Sequence, residues 1–188
     1  PETAYERTKT SAEKLVIASG VPYTITRMPP IVGPNKVWQK IFEAAKKEYP
    51  IIGSGENYWA LVYVDDAVEA LLKMLRAAAK NQIYNIAEAE PHTYNEVYFT
   101  ITRALVCPAP EKHIPVWIAM IGAFFYELKC KLTHKKPSLT MMKASITRLI
   151  SNRNVSIEKA MRDLEYSPKY TLKDAMDKAA EGLNMAGK

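Results

Sequence analysis

Three short β-branched stretches alternate with four helical ones in the first 106 residues, and this alternation limits the possible folds more than any other feature. Residues 4–19 carry Ala12, Leu15, Val16 and Ala18 at helix-compatible spacing ahead of Gly20, a natural helix stop. Tyr23–Thr26 reads as a strand, and helical spacing resumes over Val37–Lys47 through Ile41, Phe42 and Ala45. Ala60–Val64 reads as a second strand, after which Asp65 is placed to cap a helix running to Ala79, with Asp66 favourable to its dipole. Ile83–Ile86 is a third strand, and Thr93 caps a helix to Val106. Between the first strand and the second helix lies Met28-Pro29-Pro30-Ile31-Val32-Gly33-Pro34. Its three prolines fix φ and remove backbone donors, so it is a rigid extended loop leaving a strand end. Strands separated by helices in this way pack as a parallel sheet covered by helices, the α/β class.

Beyond Pro110 helical segments dominate. Ile114–Tyr126 is an unbroken apolar run containing Trp117, Phe124 and Phe125, and Leu139–Leu149, Ser156–Leu164 and Leu172–Leu183 follow as helices. The apolar run is shorter than the ~20 residues a bilayer span requires. Three readings stand for it, in this order: the wall or lid of an apolar substrate pocket, buried core, and docking to a membrane surface.

Composition narrows the function classes. With 188 residues, 48% hydrophobic and 24% charged, the chain is one globular domain of ordinary size, not a disordered tail, a collagen-like fibre or a disulfide-stapled mini-protein. Cys107 and Cys130 lie too far apart for a CxxC pair and are too few for a zinc framework, which points to reduced thiols in a cytoplasmic protein. His92, His113 and His134 have no metal-ligand spacing, so no metal is expected. The net charge is +6, but the lysines are scattered, the longest cluster being Lys129, Lys131, Lys135 and Lys136. A solvated surface accounts for that pattern better than a nucleic-acid partner. The chain begins at Pro1, already close to a helix, without the basic, apolar and small pattern of a signal peptide.

Tyr5 and Lys9 are four residues apart and share one face of the first helix. An ammonium beside a phenol favours the phenolate, bringing its pKa down from an ordinary value of about 10. Such a tyrosine can exchange a proton with an alcohol or ketone at neutral pH. Both residue types are abundant enough that about one Tyr-x-x-x-Lys is expected by chance, so the motif alone proves nothing. Asp65-Asp66 reads as a helix start in preference to a catalytic carboxylate pair.

The surrounding text changes the odds. YERTKTSAEKLVIASGVPYTITRMPPIVGP, then ENYWALVYVDDAVEALLKML, then NQIYNIAEAEPHTYNEV, and finally VSIEKAMRDLEYSPKYTLKDAM stand in one order along residues 1–180. That order resembles the extended short-chain dehydrogenase/reductase family, also called the NAD-dependent epimerase/dehydratase family, in its C-terminal portion. Pro115-Val116-Trp117 and Lys136-Pro137…Thr140 lean toward the dihydroflavonol reductase and 3β-hydroxysteroid dehydrogenase branch. The resemblance implies the C-terminal part of a doubly wound, Rossmann-like parallel sheet with a mainly helical substrate lobe. Residues 1–90 would then belong to the nucleotide-binding domain, 34–58 leaning to the substrate side, and 91–188 to the lobe.

The resemblance further implies NAD or NADP as cofactor. Tyr5 would transfer the proton, Lys9 would hold the nicotinamide ribose and tune Tyr5, and the backbone of Met28, Pro29, Pro30 and Ile31 would approach the nicotinamide carboxamide. Trp117 and Phe124 are candidate contacts to an apolar substrate, and Arg153 a candidate contact to an anionic one. Met28 stands where the family has proline, Val32 where it has tyrosine and Glu165 where it has glycine. None of the seven glycines forms the family's phosphate-binding fingerprint, Gly53-Ser54-Gly55 reading as a turn. The expectation is a portion of a longer enzyme whose N-terminal half is supplied in cis or in trans, with a homodimer as a further possibility. The expected activity is alcohol–ketone interconversion on a small, apolar substrate. The alternatives are a nucleotide-sugar epimerase or dehydratase and a non-catalytic piece that pairs with a partner chain.

Overall fold

The computed structural model describes residues 4–76, 80–135 and 142–185. The expected helix end at Ala79, the helix start at Leu139, and the Lys136-Pro137…Thr140 match all lie outside the described residues. Helix α1 (Ala4–Ala18) ends at Gly20, whose φ of +72° suits a residue without a Cβ. Strand β1 (Thr24–Arg27) leads through the proline loop into β2 (Ile31–Val32). Helix α2 (Lys36–Ala45) is capped by Asn35, whose side chain accepts from the Val37 and Trp38 N–H groups. Three two-residue strands follow: β3 (Ile51–Ile52), β4 (Tyr58–Trp59) and β5 (Val62–Tyr63).

Helix α3 (Val64–Arg76) opens two residues earlier than a cap at Asp65 implies. Asp65 therefore sits in the first turn, not at the cap, and the strand before it shortens. After β6 (Gln82–Asn85) and β7 (His92–Thr93), a capping box of Thr93 and Glu96 opens α4 (Tyr94–Ala104). Strand β8 (His113–Ile114), α5 (Val116–Leu132), α6 (Lys143–Ile150), α7 (Glu158–Leu164) and α8 (Leu172–Gly182) complete the described chain. A second capping box, Thr171 with Asp174, opens α8.

Strands β1 and β6 pair in parallel from Thr24 opposite Gln82 to Arg27 opposite Asn85. Two further pairs, β2 with β5 and β3 with β8, are also parallel, and β4 with β7 is antiparallel. The parallel, helix-covered arrangement expected from the alternation is therefore present. Five of the two-residue strands, β2, β3, β4, β7 and β8, are unforeseen, because two residues carry no readable period.

Residues 60–63 alternate between two cores, as the period of a strand dictates. Leu61 and Tyr63 face Val32, Phe42, Ile101 and Met176, which brings α8 against α2 and α4. Ala60 and Val62 face the other way, toward Ala70, Met74, Tyr84, Ile86, Leu164 and Tyr166, so α7 returns to the β1–β6 pair. Full burial of a side chain such as Phe42 or Met176 contributes roughly 1.5–3 kcal/mol. Helix α1 is different: Leu15, Val16 and Ile17 are exposed. Ion pairs hold it, Glu13 to Arg27 at the end of β1 and Glu6 to Arg148 and Arg153.

Candidate active site

Because β1 and β6 run parallel, the loops leaving Arg27 and Asn85 emerge on one edge of the pair. Ligands in open α/β sheets bind in the crevice outside that carboxyl edge. Glu13 meets Arg27 at this edge. Tyr5 lies eight residues earlier on α1, about 12 Å further along a helix rising 1.5 Å per residue, so it reaches past the strand ends. One turn on, the Lys9 ammonium lies 6.0 Å from the centre of the Tyr5 ring, and both side chains are exposed.

Glu6, next to Tyr5, is 3.6 Å from Arg148 Nε and 3.9 Å from Arg153 Nη2 through its Oε1. Those arginines are placed by backbone stitching of the segment after α6 to β4. The Arg153 N–H donates to Tyr58 O at 2.7 Å, the Ala60 N–H donates to Arg153 O at 2.8 Å, and Asn57 Nδ2 donates to Leu149 O at 2.7 Å. Arg153 is thus brought to the first turn of the Tyr5 helix. Met28 and Pro29 are half-buried, Pro30 and Ile31 exposed, and Trp38 Nε1 donates to Ile31 O at 2.7 Å, fixing the far end of the loop.

Trp38 also walls a cavity of about 640 Å³. Helices α2, α4, α5 and α6 surround it, with β3, β4 and β8 closing its edges, and among the described residues no charged side chain lines it. Polar character comes from aromatic residues. Burial pushes the Tyr94 phenol up to about 12, so it stays a neutral donor, packed edge-on against Trp59 at 5.0 Å. Trp59 Nε1 is buried at this wall with no hydrogen-bond partner among the described residues, a group that a ligand oxygen could satisfy.

Helix α5 contributes its small side, Ala119, Gly122 and Ala123, together with Tyr126. Trp117 and Phe124 do not line the cavity; they are exposed on the opposite side of the helix. Of the residues singled out in the sequence, the structure gathers Tyr5, Lys9 and Arg153 near one end of α1 and leaves Trp117 and Phe124 outside. Glu6, Arg148, Trp59 and Tyr94 were not foreseen. The Thr93–Glu96 capping box located the turn that carries Tyr94, but nothing local marks Trp59 or Arg148.

Glu88 lies in the loop after β6. Its Oε1 accepts from the Leu61 N–H at 3.0 Å while its own N–H donates to Leu61 O at 2.8 Å. Burial pushes its carboxyl up to about 8 against the pull of that N–H. Below that pH it is neutral, and the 3.7 Å approach of His92 Nε2 is a polar contact, not an ion pair.

Residues 1–87 match the NAD dependent epimerase/dehydratase family. The chain is 29% identical to the 3beta-hydroxysteroid-dehydrogenase/decarboxylase isoform 1 of Arabidopsis thaliana, over 96% of this chain and 46% of that protein. It is 23% identical to the N-acetyl-alpha-D-glucosaminyl-diphospho-ditrans,octacis-undecaprenol 4-epimerase of Escherichia coli O157:H7, over 84% of this chain and 48% of that protein. The fold is shared with the UDP-glucuronic acid 4-epimerase of Bacillus cereus, solved in complex with NAD. The TM-score is 0.68 at 17% identity, covering 98% of this chain and 53% of that one. The chain spans about half the length of the curated relatives it matches.

Proposed function

We propose that this chain, whose residues 1–87 match the NAD dependent epimerase/dehydratase family, forms part of an NAD(P)-dependent oxidoreductase acting on an apolar alcohol or ketone. The observation that carries this reading is the exposed Tyr5–Lys9 pair beyond the carboxyl edge of the parallel strands. An exposed phenol and ammonium one helical turn apart fit the nicotinamide ribose end of the cofactor. Bound there, the cofactor supplies hydride chemistry.

Within this chain, Lys9 would donate to the ribose. In the oxidising direction the bound NAD(P)⁺ would supply the hydride acceptor for the carbinol carbon, while Tyr5 Oη would take the hydroxyl proton. In the reducing direction Tyr5 Oη returns that proton to the new alkoxide. The uncharged cavity takes the substrate body, with Tyr94 and Trp59 as donors at its wall. On this reading residues 1–90 form the cofactor side and 91–188 the substrate lobe. Residues 34–58 lean to the lobe, since α2 and β3 wall the cavity. The names of the relatives are consistent with an apolar substrate, one a hydroxysteroid dehydrogenase and the other acting on an undecaprenol-linked sugar.

A second reading is a nucleotide-sugar epimerase or dehydratase, favoured by the convergence of Arg148 and Arg153 on one carboxylate, an arrangement suited to an anion. Incubating the full-length protein with a hydroxysteroid and NAD(P)⁺, and separately with UDP-sugars, discriminates the two. The first reading predicts accumulation of NAD(P)H with the steroid. UDP-sugar turnover without net NAD(P)H, and none with the steroid, contradicts it.

A further inference from the structure

We propose that the outer face of α5 is a docking surface for an anionic lipid leaflet. Trp117, Ile118, Ile121, Phe124, Phe125 and Leu132 are all exposed on it, from 44% for Ile118 to 73% for Leu132. Their spacing of three and four residues makes a single stripe down the helix. The opposite side walls the apolar cavity through Ala119, Ala123 and Tyr126. A helix apolar on both sides belongs inside a core or a membrane, yet no described residue covers this stripe. An exposed patch of this kind marks an interaction site.

The charge around it selects the occupant. From Leu128 to Ile150 there is no acidic residue, against five lysines and Arg148. The one acid of α5, Glu127, is turned to α6, where it accepts the Lys143 N–H at 2.8 Å. Lys143 Nζ lies 4.4 Å from the Phe124 ring, at the border of the stripe. A second copy docked face to face would set lysine against lysine, whereas an anionic leaflet meets Lys129, Lys131 and Lys143 with opposite charge. No described helix is long and apolar enough to cross a membrane, so α5 lies in the interface with its aromatic side down. If the cavity takes an apolar substrate, which rests on the function proposed above, that substrate leaves the lipid at the wall of its own site. The docking surface itself does not depend on that reading.

The test uses the full-length protein and vesicles of phosphatidylcholine, alone and mixed with phosphatidylserine. The proposal predicts co-sedimentation with the mixed vesicles that weakens as salt is raised. It also predicts a quenching of tryptophan emission by brominated acyl chains that Trp117→Phe abolishes. Trp38 is only 3% exposed and cannot report contact with lipid. Replacing Ile121 and Phe125 together by glutamate lowers vesicle binding at least about tenfold, from lost apolar burial and added like charge. Circular dichroism establishes that the variant is folded. Tyr5→Phe binds vesicles as the unmodified protein does, so failure of the catalytic reading leaves this readout intact. Absence of binding to mixed vesicles, persistence of the quenching in Trp117→Phe, or concentration-dependent dimerisation through α5 without vesicle binding overturns the proposal.

Discussion

Glu165 closes α7 with φ of +53°, in the left-handed region where a Cβ is strained and glycine is at ease. It stands where the family resemblance implies glycine, so this departure was visible in the sequence, and the structure gives it a physical meaning. Glu165→Gly is expected to stabilise the fold by about 1 kcal/mol, read as a raised midpoint in urea; the Lys73 Nζ bond at 2.7 Å to the backbone oxygen of residue 165 survives the change. Glu88 was not legible, because its burial depends on Leu61, 27 residues away. Its carboxyl is raised to about 8, so the folded chain holds a proton that the unfolded chain loses above an ordinary value of about 4.3. Between those two values the native state binds more protons, and its stability falls as pH rises. Thermal unfolding from pH 5 to 8 should show a declining midpoint, and Glu88→Gln, which keeps the acceptor for Leu61, should remove that part of the slope.

Among the elements, α5 shows what periodicity can and cannot tell. Its apolar run was readable as a pocket wall, but a helix apolar on every side does not reveal which side turns inward, so Trp117 and Phe124 were placed in the pocket when Gly122 and Ala123 occupy it. A Cβ at Gly122 meets nothing within 4 Å. Gly122→Ala should therefore stabilise by about 1 kcal/mol through helix propensity alone. Gly122→Phe should fill part of the cavity and raise KM for an apolar substrate; an unchanged KM would separate the cavity from substrate binding. Helix α3 begins earlier than its acidic pair suggests, and the second acid of that pair has a tertiary role. Asp66 is buried and accepts the Lys169 and Tyr170 N–H groups at 2.9 and 3.2 Å, fastening the segment before α8. Removing it in Asp66→Ala leaves both donors without that partner, at a cost of about 2 kcal/mol or more in denaturant unfolding.

At the scale of the molecule, the order of elements and the parallel pairing followed from the alternation of helical and β-branched stretches. The two cores did not, since they depend on contacts far apart in sequence: Tyr166 OH donates to Ala87 O at 2.9 Å, and α8 packs on α4. The Tyr5–Lys9 pair was legible as a motif, but its surroundings were not. Glu6 with Arg148 and Arg153 comes from two separate stretches of chain that only the fold unites. On the proposed function, Tyr5 is the group that moves the proton. The most direct test of that role is turnover of an apolar alcohol with NAD(P)⁺ by full-length Tyr5→Phe protein, with cofactor affinity measured alongside. The predicted result is a loss of about 10²–10⁴ in kcat with nearly unchanged cofactor binding; turnover equal to that of the unmodified protein would contradict it.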